Sequence, residues 1–419
     1  METASFAALV MLCAAMMLHG LSRRGRVYEF PFMAGAISAS FILPQVPGIM
    51  ANAFIADTAV AKTLLFTISC LLMCWLGWTI GTRTTAYRVM MFDERRLLWV
   101  AASTSLFGSY FFMKFGQLPD AERLAGILSG RAVAYLFFAK LLTYGLATAL
   151  LCYWRRPSRL ALLTILWCSL FYFERIVIAG RRGEAAEFVL LVLLSVWFQR
   201  GWVVPRSAVV IGLVLSFFAM LITEEYRSAV YYTDNPSWQS VLEIDLRQNL
   251  KSMAEKGGPE MTNAVESINY MDEQGRFTYG VNIWNTLVFA YVPRQIVGAD
   301  LKYSLMLDVP GQLPPGYVQS VGSTSTGMQD AFLAFWYLGG LIFFANAALL
   351  GFMYRRARQG STTMQLAYML SVVPGILSIT HFTAETAIAW VHIAAFLTPA
   401  LLYAAVGLAD RPGPIGSPT

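Results

Sequence analysis

Five groups of residues in this 419-residue chain have types and spacings suited to chemistry. In Arg181-Arg182-Gly183-Glu184, with Glu187 one turn on, two guanidinium groups stand at the start of a helix. Arginine's planar fork recognises phosphate oxygens in pairs. The N–H groups of a helix start add to such an anion site. Glu174-Arg175 lies just before it, inside an apolar run, where an ionisable pair faces a polar cavity or its own partner. Tyr291-Val292-Pro293-Arg294, followed by Lys302, sets cations beside another apolar stretch. Ser323-Thr324-Ser325-Thr326, ahead of Gly327-Met328-Gln329-Asp330, offers four hydroxyls that suit a helix cap and equally suit sugar or phosphate oxygens. His381 and Glu385 form the fifth group. Each has a plainer reading: snorkelling arginines, a packing ion pair, a solvated loop, a cap, a boundary histidine.

The scaffold that positions them follows from composition. Hydrophobic residues make up 57% and charged residues 13%, where soluble domains carry about 25% charged residues. So little charge cannot cover a water-facing surface, and disordered chains are richer in charge. The expected fold is an all-α polytopic membrane protein. A hydrocarbon core about 30 Å thick takes about 20 apolar residues per helix. Eleven segments meet or approach this, at 3–21, 30–51, 62–81, 97–116, 131–153, 159–179, 185–204, 207–223, 328–353, 363–380 and 386–408. Pro44 and Pro47 predict a kink or early end in the second. The first run has no basic residue before it and Arg23, Arg24 and Arg26 after it, so it reads as a retained helix rather than a signal peptide.

Lys and Arg in short loops set orientation. The loops at 21–29, 82–96, 154–159, 199–206 and 354–362 hold fifteen, and those at 52–62, 117–131, 180–184 and 381–385 hold five. The first set is therefore expected in the cytoplasm, the N-terminus outside and the C-terminus inside. The expected organisation is a bundle of about eight helices (1–223), an outer loop (224–327), about three further helices (328–408) and a cytoplasmic, disordered tail (409–419). The outer loop holds seven Lys and Arg against twelve Asp and Glu. The net charge of +6 is thus a positive inside combined with an acidic outer segment, and no nucleic-acid signal. Within the loop, Trp238, Val241, Leu242, Leu246, Leu250 and Met253 recur at helical spacing. They predict an amphipathic helix over 238–253, ended by Gly257-Gly258-Pro259. A short helix over 260–271 and a non-spanning apolar helix over 281–292 follow. The stretch 311–327 reads as loop.

The five cysteines, Cys13, Cys70, Cys74, Cys152 and Cys168, all fall in apolar runs and read as packing residues. No disulfide framework, metal centre or cofactor is expected. The chain has no GxxxxGK[ST], HExxH, GxSxG or CxxC motif and no Asp-x-Asp. The acidic pairs Glu224-Glu225 and Glu243-x-Asp245 read as solvated.

The many spans, the long late outer loop and the Arg181-Arg182-Gly183-Glu184 helix start resemble bacterial O-antigen polymerases. More narrowly, they resemble the oligosaccharide repeat unit polymerases of capsule and exopolysaccharide clusters. The local match runs from Tyr291-Val292-Pro293-Arg294 through Lys302 to Asp330-Ala331-Phe332 and Trp336-Tyr337-Leu338-Gly339-Gly340. Tyr303 stands where that family often has Pro, and Asp330 where Glu is common. The resemblance covers roughly 180–350 and implies a metal-independent glycosyltransferase, compatible with a GT-C-like architecture, at the periplasmic face of the inner membrane. Its substrates would be undecaprenyl-diphosphate-linked oligosaccharides, with membrane lipids and a chain-length regulator protein as partners. On that reading Arg181, Arg182 and Arg294 hold diphosphates, and Glu184, Asp330 or His381 orients or deprotonates the acceptor hydroxyl. Arg175, Lys302, Ser323, Thr324 and Trp238 line the substrate groove, which the 238–253 helix roofs. Two other classes share the topology: a lipid-linked glycan ligase or other lipid-phosphosugar transferase, and a flippase or exporter of the same glycan.

Overall fold

The computed structural model describes residues 1–83, 88–119, 122, 130–230, 244–292, 294–319 and 323–410. The described chain is a helical membrane bundle. Its main helices are α1 (Glu2–Ser22), α2 (Phe30–Ile37), α3 (Asp57–Gly81), α4 (Glu94–Gly116), α5 (Arg131–Ala139), α6 (Leu141–Arg155), α7 (Arg159–Phe173), α8 (Arg182–Arg200) and α9 (Arg206–Val230). There follow α10 (Leu246–Lys256), α11 (Pro259–Gln274), α12 (Val281–Tyr291), α13 (Gly327–Phe335), α14 (Gly340–Arg358), α15 (Thr362–Thr380) and α16 (Ala384–His392). Eight helical stretches among the described residues are long and apolar enough to cross a membrane. They are Glu2–Ser22, Phe30–Met50, Asp57–Gly81, Arg131–Arg155, Arg159–Ile178, Gly327–Arg358, Thr362–Thr380 and Ala384–Ala404.

The tightest packing joins α3 to α14. A Cβ on Gly77 would stand 2.2 Å from the Phe344 carbonyl oxygen, and one on Gly81 2.0 Å from that of Ala348. Gly77 and Gly81 are four residues apart, so one face of α3 is stripped of bulk where the α14 backbone approaches. Without a hydrophobic force between helices in lipid, such close backbone contact is how dispersion binds them. Below this seam an aromatic cluster closes one end of the bundle. Trp78, Tyr354 and Tyr368 have ring centroids 5.1–6.3 Å apart. Their polar tips are satisfied: the Trp197 indole donates to the Tyr354 hydroxyl at 3.2 Å, and the Tyr368 hydroxyl to the Tyr28 carbonyl at 2.7 Å.

The same end gathers the Arg-rich loops. Arg155 donates to Thr362 at 2.9 Å, Arg206 to the Ser22 carbonyl at 3.2 Å, and Arg156 pairs with Glu94 at 3.1 Å. Connections that alternate in charge along the sequence thus alternate in end along the bundle. The second spanning stretch breaks as its prolines require. After α2 come a wide turn, Ser38–Ile42, a tight one, Leu43–Gln45, and a last helical turn, Val46–Met50. Gln45 repairs part of the lost ladder by donating to the Phe41 carbonyl at 2.9 Å, and its side-chain oxygen accepts from Met261 N–H at 3.1 Å. Gly257 and Gly258 therefore do more than end α10. A Cβ on Gly258 would lie 2.1 Å from Gln45 Oε1, so the glycines let the 246–274 helices dock on the break.

Several boundaries differ from the sequence expectation. The amphipathic helix starts at Leu246, not at 238, because Asp245 caps it, accepting from Arg247 and Gln248 N–H at 2.9 and 3.1 Å. Trp238, Val241, Leu242 and Glu243 lie outside the described residues. The helix expected to stop at 223 continues to Val230. The last one ends at Ala404 rather than 408, because β2 (Ala405–Asp410) leaves it to pair antiparallel with β1 (Arg88–Phe92). The short helices expected over 260–271 and 281–292 are present as α11 and α12.

Gly81→Leu should force the seam apart at a cost of about 1–3 kcal/mol or more. The expected result is a markedly lower melting temperature in detergent, whereas Gly183→Leu, where a Cβ meets nothing within 4 Å, should leave it nearly unchanged.

Candidate functional site

At the opposite end, α7 unwinds into a wide turn, Glu174–Ile178. Gly180, with φ 58°, reverses the chain into α8. The Arg181 N–H donates to the Arg175 carbonyl at 3.2 Å, and the Arg175 guanidinium forms an ion pair with Glu184. Both side chains are nearly buried, and the guanidinium also lies over the Phe112 ring at 5.5 Å. One Glu184 oxygen is held by Arg175, while Oε2 is buried with no hydrogen-bond partner. A turn further on, Glu187 accepts from the Tyr172 hydroxyl at 2.8 Å, which is itself 2.8 Å from Thr143 Oγ1. Three helices are tied together there through polar atoms at membrane depth.

The cluster extends to a residue that the sequence analysis missed. Lys140 stands between α5 and α6, exposed, and within electrostatic range of Glu187, Glu385 and His392. A single lysine inside the apolar run 131–153 carries the same signal as Arg175, a charge at a depth where charge is costly. His392 was missed too. Its Nδ1 is 3.3 Å from the Tyr291 hydroxyl, and its buried Nε2 has no hydrogen-bond partner. The Tyr291 hydroxyl also bonds to the Ile388 carbonyl, so the aromatic that opens the Tyr-Val-Pro-Arg motif docks α12 onto α16. Burial, then Glu385, pushes the Tyr291 phenol up, which keeps it a neutral donor.

The other expected residues divide by what they touch. Arg181 and Arg182 are exposed at the mouth, and Arg182 acts electrostatically on His381. His381 is half-buried, its Nδ1 2.8 Å from Thr380 Oγ1. Burial first, and Arg182 second, push its imidazole below the ordinary histidine range, so it is neutral at pH 7. Asp330 is buried and accepts from both the Thr383 N–H, at 2.9 Å, and the Thr383 hydroxyl. It pins the 381–383 loop and so positions His381 and Glu385.

Arg294 is exposed at the start of the turn after α12. Lys302 is buried instead, donating to the Phe289 carbonyl at 2.9 Å from 4.6 Å over its ring. Burial, then Arg294, lowers its ammonium pKa, and its bond to Phe289 ties the segment after Arg294 back to α12. Ser323 accepts from Asn263 at 2.9 Å, and Thr326 provides the helix cap, accepting from Gln329 N–H at 3.2 Å. Thr324 is half-buried beside them. Trp238 lies outside the described residues.

Arg175, Arg181, Arg182, Glu184, Glu187, His381, Glu385, Lys140 and His392 thus share one end of the bundle. Cations stand at the mouth, with carboxylates and imidazoles behind them. That order suits an anion at the surface and a proton acceptor within reach of it. No protein-family model matches the chain, and comparison with curated proteins and with solved structures finds no match.

Two outcomes check this geometry. Arg175→Met leaves Glu184 without its ion-pair partner, at an expected cost of about 3–5 kcal/mol. Adding Glu184→Met should recover most of that loss in detergent melting, and a double variant as unstable as the single would contradict the pairing. For His381, the folded pKa lies below the unfolded one, so the unfolded chain binds more protons between the two. Its contribution to stability is therefore present above about pH 6.5 and is lost as pH falls toward the folded pKa. His381→Gln should flatten the fall of melting temperature between about pH 7 and pH 5.

Proposed function

We propose that the protein is a metal-independent glycosyltransferase that joins undecaprenyl-diphosphate-linked oligosaccharide repeat units into a surface polysaccharide. The observation that carries the reading is the ordered cluster: Arg181 and Arg182 at the mouth, and Glu184 behind them with one carboxylate oxygen buried and unpartnered. The positive-inside bias puts this end on the periplasmic face of an inner membrane, with eleven spans, the N-terminus outside and the C-terminus inside.

In the reaction, the bond between the anomeric carbon of the growing glycan and its diphosphate oxygen breaks. A bond from that carbon to an acceptor hydroxyl oxygen of the next repeat unit forms. The hydroxyl proton passes to a base, and the electron pair leaves with the diphosphate. The arginines of the mouth, with Arg294 from the neighbouring turn, offset the charge that develops on the leaving group. Fixed cations do this without rearranging at the moment of reaction. Glu184 and neutral His381 are the groups placed to take the proton. Asp330 and Lys302 keep the His381 loop and the Arg294 turn in position.

A second reading, export of the same lipid-linked glycan, is favoured by one observation. Lys140 and His392 carry ionisable groups inside spanning stretches, as a transport path would. The two readings part in cells. Under the first, Arg181→Ala or Arg294→Ala leaves the protein in the membrane but reduces the polymer to single repeat units, read on a glycan gel. Normal-length polymer from both variants contradicts the site, and lipid-linked repeats stranded on the cytoplasmic side without the protein would support export instead.

A further inference from the structure

Away from this cluster, a cavity of about 190 Å³ opens at the Arg-rich end of the bundle. Its floor is apolar: Leu97, Leu98, Leu151 and Cys152. Its rim is cationic and hydroxylic, with Arg95, Arg155, Arg156, Ser158 and Thr362, and a single carboxylate, Glu94. The rim residues come from the starts of three helices and the end of a fourth, since Arg155 and Arg156 close α6. Glu94 opens α4, whose cap is Asp93, Ser158 caps α7, and Thr362 opens α15, capped by Ser361. Helix starts carry partial positive charge and helix ends partial negative charge, so three starts and three guanidinium groups stand against the one end of α6 and Glu94 around one small volume. Arg155 is held in place by Thr362 at 2.9 Å and Gln199 at 3.4 Å. Arg156 pairs with Glu94 at 3.1 Å.

We propose that this cavity binds the phosphate headgroup of an anionic membrane lipid, with the first part of an acyl chain on the leucine floor. The charge selects a phosphate, and the apolar floor selects one that carries a chain. Basic pockets between spanning helices hold such headgroups in this way. Glu94 then has a definite part. It occupies Arg156 in the empty cavity and must yield it to the lipid, so it tunes affinity downward. The inference is independent of the glycosyltransferase reading, since it concerns the other end of the molecule and needs no polymer.

The test uses the full chain purified in detergent, with phosphatidylglycerol, phosphatidylcholine and inorganic phosphate as probes. Bound lipid is counted by native mass spectrometry, and melting temperature is followed in parallel. Phosphatidylglycerol is expected to be retained and to raise the melting temperature, while phosphatidylcholine and phosphate are not. Arg95→Gln and Arg156→Gln should each weaken retention about fivefold, and Glu94→Gln should strengthen it. The opposite sign of Glu94→Gln separates a lost site from a damaged fold. Equal retention of the two lipids, unchanged retention in the arginine variants, weaker retention in Glu94→Gln, or stabilisation by phosphate matching that by phosphatidylglycerol would overturn the proposal.

Discussion

The structure depends on how it settles charge where water is scarce. An isolated ion buried in apolar surroundings costs several kcal/mol even after relaxation. This chain carries several such ions at one end of its bundle. It meets the cost by pairing them across helices. Arg175 answers Glu184 between α7 and α8, Tyr172 and Thr143 feed Glu187, and Lys140 sits among Glu187, Glu385 and His392. The wide turn at Glu174–Ile178 follows from the same need, since it lets Arg175 reach back to a carboxylate nine residues on. Among the described residues of this cluster, Glu184 Oε2 and His392 Nε2 stay buried without hydrogen-bond partners. Leaving buried polar atoms unsatisfied is expensive, and a site that receives a substrate is where such a cost has a reason.

The rest of the bundle is organised to hold that end still. Glycine seams bring α3 and α14 within backbone contact. Aromatic rings with satisfied hydroxyls close the Arg-rich end, and Gly257-Gly258 docks the loop helices onto the proline break of the second span. These contacts leave the polar end as the place where loops, helix starts and side-chain charges meet. Asp330 and Lys302 connect the two regimes. Each is a charged group that holds a neighbouring segment in place.

Much of this was legible in the sequence, and the failures have causes. Eight of the eleven expected spans coincide with stretches long and apolar enough to cross a membrane, while those expected at 97–116, 185–204 and 207–223 fall on helices outside that set among the described residues. The shared end of the basic loops followed from their charge. Arg175 and Glu184 were both singled out, but only the fold pairs them, because a nine-residue separation crosses the turn between two helices. Lys140 belongs to no motif, so its depth in an apolar run is the one sign of it in the sequence. Asp330 is among the groups that the resemblance offers for orienting or deprotonating the acceptor hydroxyl, and the fold adds its hold on the Thr383 loop. Its partner, Thr383, is 53 residues away, and no local pattern announces a contact of that range. The amphipathic pattern over 238–253 was read as one helix since periodicity continues across Asp245, yet Asp245 is itself a cap. Propensity for capping there outweighs apolar spacing.

These features combine into one account: compensated charge at membrane depth, opened to a lipid-borne anion at its mouth. Its most direct test is reconstitution of the purified protein in liposomes with an undecaprenyl-diphosphate-linked repeat unit and a chelator. The account predicts a ladder of lengthening glycans and release of one undecaprenyl diphosphate per joined unit. Movement of the lipid-linked unit across the bilayer with no lengthening would contradict it.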